Sequence, residues 1–343
     1  MSDGTRRVAR STPMNRRSFL TATAAACLAA PARAQTLNYA AAAAYSSQRR
    51  GVSLVVLRAG ATVFEDYPNE GGPERGWELA SGTKSFTGVM AAAAIQDRLI
   101  RSWDEACADT LTEWRRDERR RITLRHLLSL TGGIEGGPIA RPPAYADAIA
   151  RTAAAAPGER FAYGPTPFQI FGEIMRRKLD GDPLAYLQRR VFDPLSITPT
   201  RWRRGNDGNP HMPSGAGLTA RDWARFGHFV LRDGEGRLDR DALAACFEPS
   251  RANPGYGLSW WLLRDGLVAP GRTQTVDVDP SLARRFGPIS MAAGAGDQRL
   301  YIIRDLDLVV ARQASGILRA LRRRDRGADA WSDGAFLRSL LDA

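Results

Sequence analysis

Apolar and polar positions alternate or recur in patterns that divide the chain into a β-rich start, a helical middle and a β-rich end. Two short runs rich in β-branched residues, Val52 to Leu57 and Thr62 to Phe64, flank Ala59-Gly60 and predict a hairpin. From Ser81 to Leu99 the apolar residues recur at intervals of three and four, which predicts one amphipathic helix that begins near Ser81.

Helical periodicity dominates residues 100–245, and the remainder of the chain returns to strand patterns before a final amphipathic helix. The predicted helices of the middle are Leu124 to Leu130, Phe168 to Leu179, Pro183 to Val191 and Thr219 to Leu231. The predicted C-terminal elements are strands at Tyr256 to Leu263, Arg299 to Ile303 and Leu308 to Arg312, and a helix at Trp331 to Leu341.

This order of elements predicts an α+β fold. Residues 35–99 and 246–343 are expected to build an antiparallel sheet flanked by helices, and residues 100–245 to form an inserted, mainly α-helical part. Ligand sites are common where two such parts meet, and Ser81 lies close to the passage from sheet to helices. We therefore expect the active site between the two parts.

The first 34 residues have the features of an export signal rather than of a folded element. The basic pair Arg16-Arg17 precedes an apolar run from Phe19 to Ala30, and a small-residue cleavage site follows at Ala32-Arg33-Ala34. The run is too short to span a bilayer, and the paired arginines resemble a twin-arginine signal. We expect export by the twin-arginine machinery, a periplasmic or secreted location, and no integral membrane segment in the mature chain.

Composition and charge are those of a globular protein without a nucleic-acid site. The chain of 343 residues is 43% hydrophobic and 25% charged, and its formal charge of +12 falls to +7 without residues 1–34. The arginines are scattered and are not interleaved with aromatic residues, so no nucleic-acid partner is expected. Cys107 and Cys246 are interpreted as buried free thiols, with a disulfide as the alternative in an oxidising compartment.

The most specific chemistry starts at Ser81-Gly82-Thr83-Lys84. A serine hydroxyl and a lysine amine three residues apart at a helix start share one face and reach each other. A neutral lysine can remove the serine proton if burial lowers its pKa, and the backbone N–H of Ser81 can donate to an oxyanion. The spacing alone also suits a surface lysine on an ordinary helix.

Several further motifs follow Ser81 in a consistent order. They are Thr123-Leu124-Arg125-His126-Leu127-Leu128, Thr131-Gly132-Gly133, Pro157-Gly158-Glu159-Arg160-Phe161-Ala162-Tyr163, Gly215-Ala216-Gly217-Leu218-Thr219 and Tyr256-Gly257-Leu258-Ser259-Trp260-Trp261. Together with the Ser81 motif they resemble the serine β-lactamase and penicillin-binding protein superfamily. The resemblance covers most of residues 50–315 and implies the β-lactamase/transpeptidase-like fold.

The resemblance implies a third catalytic residue and one altered motif. It makes Tyr163 the general base and proton donor, with Lys84 lowering its pKa. The family's third motif, Lys-Thr-Gly or His-x-Gly, is replaced by Ala292-Ala293-Gly294, with Gly294 and Ala295 as the expected substrate-binding backbone and oxyanion hole. Arg284, Arg285 or Arg299 could replace the missing charge. A second departure is Pro165, which cannot supply the hydrogen bond that an asparagine or serine would give there.

These features predict an exported serine hydrolase that cleaves a small-molecule ester, amide or peptide and needs no cofactor or metal. The missing third-motif lysine makes the chain more similar to the branch of class C β-lactamase-like esterases and 6-aminohexanoate-dimer hydrolases. Alternatives are a β-lactamase or D,D-carboxypeptidase, and a non-catalytic envelope-binding protein that keeps the fold. Of the three histidines, His211 in a loop is retained as a residue that could line the cleft.

Overall fold

A six-stranded antiparallel sheet joins the two ends of the chain, in the strand order β2-β1-β9-β8-β7-β6. The computed structural model describes residues 36–270, 276–277, 279–322 and 330–342. The strands of the sheet are β1 Gly51–Arg58, β2 Ala61–Asp66, β6 Trp261–Leu262, β7 Ile289–Gly294, β8 Gln298–Ile303 and β9 Leu308–Ala314. The predicted sheet built from N- and C-terminal segments is therefore confirmed.

Helices cover both faces of this sheet, which explains why its central strands have no solvent-exposed side. Among the described residues the helices are α1 Tyr39–Gln48, α2 Lys84–Gln96, α3 Leu124–Leu128, α4 Tyr145–Ile149, α5 Thr166–Leu179, α6 Pro183–Leu187, α7 Ala220–Leu231, α8 Arg240–Ala244, α9 Pro280–Phe286, α10 Ile317–Arg322 and α11 Asp333–Leu341. Gly227 of α7 lies against Leu300 on one face, whereas Tyr301 stacks on Phe336 of α11 on the other. Neighbouring residues of β8 thus enter two separate apolar layers.

A second, small sheet stands beside Ser81 and was not predicted. It has three strands in the order β3-β5-β4, which are β3 Trp77–Glu78, β4 Arg201–Trp202 and β5 Ala216–Leu218. Strands of two or three residues carry too little pattern to be recognised in a sequence. Their effect is to tie the chain before Ser81 to the segment that ends at Thr219.

The helix that follows Ser81 differs from its prediction in two respects. It begins at Lys84 after a 3₁₀ turn, Ala80–Thr83, and ends at Gln96 instead of Leu99. Every residue of α2 as far as Ala94 is buried, so the helix is not amphipathic. Its run of alanines, Ala91 to Ala94, explains the difference because small side chains let other elements pack closely on all sides.

The predicted strand from Tyr256 to Leu263 is wrong over most of its length. The chain folds back on itself there, since Gly257 N–H donates to the Trp260 carbonyl and Tyr256 pairs with Trp261. Ser259 adopts a positive φ of 76°, which no extended strand allows. Only Trp261–Leu262 joins the sheet.

Cys107 and Cys246 are both buried free thiols, in agreement with the preferred interpretation. Burial raises the pKa of each thiol well above its usual range. No helix within the described ranges is long and apolar enough to cross a membrane. The predicted signal peptide, residues 1–34, lies outside the described residues, and the boundaries proposed at 99/100 and 245/246 stay predictions.

Candidate active site

Ser81 lies in a tight turn that two neighbouring segments hold in place. Ala80, directly before it, has a φ of 46°, a left-handed conformation that is costly for a residue with a Cβ. The Thr83 hydroxyl donates to the Ala80 carbonyl at 2.8 Å and accepts from the Ala216 N–H at 3.2 Å. Leu79 N–H donates to the Ala216 carbonyl at 3.0 Å. The small sheet therefore maintains the conformation that presents Ser81.

The Lys84 amine contacts Ser81 directly. Its Nζ donates to Ser81 Oγ at 3.0 Å and to the carbonyl oxygen of Pro213 at 3.1 Å. Lys84 is 4% exposed and Ser81 is 5% exposed. Burial lowers the pKa of Lys84 from its ordinary value of 10.5 to about 7, because the ammonium loses the water that would stabilise its charge. Near neutral pH a large fraction of this amine is uncharged.

Aromatic rings complete the surroundings of the amine. The Lys84 Nζ lies 5.1 Å from the centre of the Tyr163 ring and 5.3 Å from that of Phe168. The Tyr163 ring in turn stacks on Trp261, with centroids 5.4 Å apart, and meets Tyr256 edge-on at 6.2 Å. The three residues predicted to be catalytic, Ser81, Lys84 and Tyr163, are thus brought together around one amine.

Strand β7 ends against the turn that carries Ser81. A Cβ added to Gly294 would lie 2.0 Å from the Leu79 carbonyl oxygen and 3.0 Å from the Gly82 nitrogen. Only glycine permits this approach of two backbones. Ala295, which follows, is 8% exposed. The structure therefore places Gly294 against the Ser81 turn, and Ala295 is the next residue along the chain.

The three arginines considered as substitutes for the third-motif lysine each form an ion pair, solvent-exposed for Arg284 and Arg285 and buried for Arg299. Arg284 pairs with Asp265 at 3.8 Å, and Arg285 pairs with Asp342. Arg299 is 2% exposed and pairs with the buried carboxylate of Asp333 at 2.7 Å. Each guanidinium thus has an acidic partner within the chain, and Arg299 is enclosed in the protein interior.

Two contacts of Lys84 were missed from the sequence, those with Pro213 and Phe168. Pro213 contributes only its carbonyl, and a backbone group leaves no signature in residue type. The only indication in the sequence was that Pro213 stands two residues before Gly215, the first residue of one of the motifs that carry the family resemblance. His211 lies in the same loop, and its carbonyl accepts from Trp202 Nε1 at 3.1 Å. Whether its half-buried ring lines the cleft stays a prediction.

Pro165 has a structural role at the start of α5. It stands at the position before the first helical residue, and its carbonyl accepts from the N–H groups of Phe168 and Gln169. The proline therefore fixes the chain between Tyr163 and the helix that bears Phe168. Among the residues that the structure describes, no cluster of histidine, cysteine and acidic side chains is suited to hold a metal ion.

Comparison with known proteins identifies the fold. The family model described as Beta-lactamase matches residues 28–316. No curated protein sequence matches the chain.

Solved structures of low sequence identity share this architecture. A Bacillus anthracis protein assigned as a 6-aminohexanoate-dimer hydrolase is 17% identical, with a TM-score of 0.62 over 80% of this chain and 78% of that one. The octameric penicillin-binding protein homologue from Pyrococcus abyssi is 17% identical, with a TM-score of 0.62 over 80% and 72% of the two chains. EstCE1, a hydrolase with promiscuous acyltransferase activity, is 16% identical, with a TM-score of 0.63 over 83% and 98%.

The burial of Lys84 predicts that the variant Lys84→Met is more stable than the parent below pH 7. A lysine whose folded-state pKa lies below its unfolded-state value destabilises the fold fully below the folded pKa, and the penalty disappears as pH rises toward the unfolded value. A shift from 10.5 to about 7 corresponds to a penalty on the order of 5 kcal/mol. Loss of the bond to the Pro213 carbonyl offsets roughly 1–3 kcal/mol of the gain.

Urea unfolding of residues 36–343 at pH 6, 8 and 9.5 measures this effect. The difference in free energy of unfolding between Lys84→Met and the parent should be largest at pH 6 and should decrease as the pH rises from 7 to 10. Lys178→Met is the matched control, because Lys178 pairs with the buried Glu105 at 2.7 Å and its loss should destabilise the protein. A gap for Lys84→Met that does not change with pH would contradict a lowered pKa.

Proposed function

The chain belongs to the Beta-lactamase family, and we propose that it is a serine hydrolase that cleaves an ester or amide through an acyl-enzyme on Ser81. The observation that carries the proposal is the 3.0 Å contact between Ser81 Oγ and a buried amine whose pKa is about 7. A serine hydroxyl requires such a base to attack a carbonyl near neutral pH. Hydrolases are among the solved structures that are similar to this chain, which supports this chemistry.

In the first step, uncharged Lys84 removes the Ser81 proton while Oγ attacks the substrate carbonyl carbon. The amine is within hydrogen-bond reach of that proton in the free protein, so no rearrangement is needed. The Pro213 carbonyl accepts an N–H of the amine and holds the amine in place. The resulting ammonium is stabilised by Ser81, by this carbonyl and by the faces of two aromatic rings.

In the second step, a proton must reach the leaving group. We assign this transfer to Tyr163, whose ring packs beside the Lys84 amine and is held by Trp261 and Tyr256. The phenol passes a proton to the departing oxygen or nitrogen and regains one from the Lys84 ammonium. A water then attacks the acyl-enzyme with the same two groups acting in reverse.

We assign the stabilisation of the negative oxygen that forms during attack to two backbone N–H donors. These are the N–H of Ser81, in the turn before α2, and the N–H of Ala295, after the strand end that abuts this turn. Two N–H groups fixed by the fold stabilise a tetrahedral intermediate without reorganising, and each contributes about 10²- to 10³-fold to the rate.

The charge distribution favours a substrate without a free carboxylate. Arg284, Arg285 and Arg299, the cations nearest in sequence to the altered third motif, are all paired with acidic side chains. A penicillin or a peptidoglycan stem peptide carries a carboxylate that a cation would normally bind. An uncharged ester or amide needs no such partner, so esterase or amidase activity is preferred to β-lactamase or D,D-carboxypeptidase activity.

Export by the twin-arginine machinery and a periplasmic or secreted location remain part of the proposal. They are supported by Arg16-Arg17, the apolar run after this pair and the cleavage-site pattern that ends at Ala34. The alternative of a non-catalytic envelope-binding protein does not require an amine with a lowered pKa beside a serine.

Intact-mass spectrometry of residues 36–343 tests the nucleophile. A fluorophosphonate should add one phosphonyl group to the parent protein and none to Ser81→Ala, because Ser81 Oγ is the attacking atom. A short-chain p-nitrophenyl ester should be turned over by the parent only. Ser85→Ala is the matched control, since the Ser85 hydroxyl is also buried but donates to the Gly82 carbonyl.

The same measurement separates the alternatives. Labelling of Ser81→Ala at the parent rate would remove Ser81 from the mechanism. Penicillin is the third probe, and a long-lived penicilloyl adduct on the parent would replace the esterase proposal with a penicillin-binding one. A parent that reacts with none of the three probes would favour the non-catalytic alternative.

The pKa of Lys84 predicts the pH dependence of acylation. Because only the uncharged amine can accept the Ser81 proton, kcat/KM should rise with pH through about 7 and lose about tenfold per pH unit below it. Stopped-flow measurement of p-nitrophenyl ester acylation between pH 5 and 9 gives this profile. A rate that stays constant across this range would exclude Lys84 as the base.

Tyr163→Phe distinguishes a proton donor from a general base. If Tyr163 protonates the leaving group, the variant should lose about 10²- to 10⁴-fold in kcat/KM toward an alkyl ester or amide, whose leaving group needs a proton. It should keep fluorophosphonate labelling within about fivefold, because fluoride leaves without one. Equal losses with both reagents would instead make Tyr163 the base on Ser81.

A further inference from the structure

A buried ion pair lies behind the strand that ends at the Ser81 turn. Arg299 of β8 is 2% exposed, and its Nε donates to Asp333 Oδ1 at 2.7 Å. The same carboxylate oxygen accepts from the Tyr301 hydroxyl at 2.5 Å and from Trp331 Nε1 at 2.9 Å. Asp333 itself is fully buried at the start of α11. The Asp333 carboxylate, which Tyr301 and Trp331 hold in position, therefore holds the Arg299 guanidinium in turn.

The Nη1 end of this guanidinium reaches the turn between β7 and β8. Arg299 Nη1 donates to the Gly294 carbonyl at 3.2 Å and to the Gln298 carbonyl at 3.1 Å. Gly294 and Gln298 are the last pair of the β7–β8 ladder. One charged group thus joins both ends of the turn that contains Ala295.

The direction of the Gly294 carbonyl determines the direction of the next N–H. In a trans peptide unit the C=O and the N–H are coplanar and point in opposite directions. Because the Gly294 oxygen faces Arg299, the N–H of Ala295 points away from that side chain. Strand β6 pairs only with Ser290 and Met291, so it does not cover this end of β7. The N–H therefore points toward a side of β7 where, among the residues that the structure describes, no strand pairs with it.

We propose that Arg299, held by Asp333, is a positioning residue that orients the Gly294–Ala295 peptide so that the Ala295 N–H faces the oxyanion formed at Ser81. This inference rests on the proposed function. A cationic donor on the carbonyl also polarises the peptide and makes its N–H a stronger donor. Arg299 therefore does not take over substrate binding from the missing third-motif lysine; it acts from behind the strand, through a peptide bond.

The composition of the cluster favours a role beyond stability. A buried ion pair costs desolvation energy and is often no better for stability than well-packed apolar residues of similar volume. Here the pair lies in the apolar layer between the sheet and α11, beside Trp331, whose ring packs on Phe336. An apolar residue at 299 could pack there, but it would not hold the Gly294 carbonyl.

Steady-state kinetics of residues 36–343 with a short-chain p-nitrophenyl ester test the proposal. Arg299→Met and Arg299→Lys should lower kcat by about 10- to 100-fold, part of the effect of an oxyanion donor, and leave KM within threefold. The matched control is Tyr301→Phe, which removes another bond to the same carboxylate oxygen but leaves the contact with Gly294. It should lose stability and keep kcat within threefold.

Binding of an alkyl boronic acid gives a second readout. The boronate forms a tetrahedral adduct on Ser81, so its affinity should fall across the Arg299 variants by the same factor as kcat/KM. If Arg299→Met does not fold, Arg299→Lys and Asp333→Asn are tested instead, and in both the boronate affinity should fall by the same factor as kcat/KM.

The outcomes separate this inference from the proposed function. Arg299 variants that keep kcat within threefold, or a loss in Tyr301→Phe as large as in Arg299→Met, would overturn the positioning role alone. A parent protein without Ser81-dependent turnover would overturn the proposed function, and the positioning role with it.

Discussion

The burial of one amine determines the arrangement of the whole site. The Lys84 ammonium would be strongly solvated in water, and here its environment consists of a hydroxyl, a carbonyl and two aromatic faces. The amine is kept from water because α2 is buried from Lys84 to Ala94. The turn before α2, the loop that carries Pro213 and the segment that bears Tyr163 all converge on the same atom. The proton-accepting ability of the site is thus a consequence of an energetic cost to the fold.

The choice of residue types follows the same logic. The chain carries lysine at only two positions and uses arginine for the rest of its positive charge. A guanidinium does not lose its proton in proteins, so arginine is suited to permanent ion pairs such as the one between Arg299 and Asp333. An amine can lose its proton when it is desolvated. A lysine lies beside Ser81, where the proposed reaction requires a side chain that gains and loses a proton. An arginine lies behind β7, where the proposed positioning role requires a charge that does not change.

Much of the fold could be predicted from the sequence because its main elements have clear periodicity. The β1–β2 hairpin, α5, α7 and the sheet assembled from both ends of the chain were anticipated, and so was the proximity of Lys84 to Ser81 and Tyr163. The catalytic roles of these three residues stay predictions. The reversal between Tyr256 and Trp261 was not, since it depends on a positive φ at Ser259, a residue type that gives no indication of it. The same applies to the Pro213 carbonyl and to Asp333 as the partner of Arg299, which are contacts made by tertiary packing between segments without a shared pattern.

The position of β1 between β2 and β9 has a consequence for biosynthesis. β1 is buried along nearly its whole length, and its partner β9 begins at Leu308, about 250 residues later in the chain. While the ribosome is still making the intervening segment, the buried strand β1 lacks its partner β9. The six-stranded sheet cannot be completed until β9 has emerged. An unpaired apolar strand in a nascent chain invites aggregation. This sheet can therefore be completed only late in synthesis, and a truncation that removes β9 would leave one side of β1 without its pairing strand.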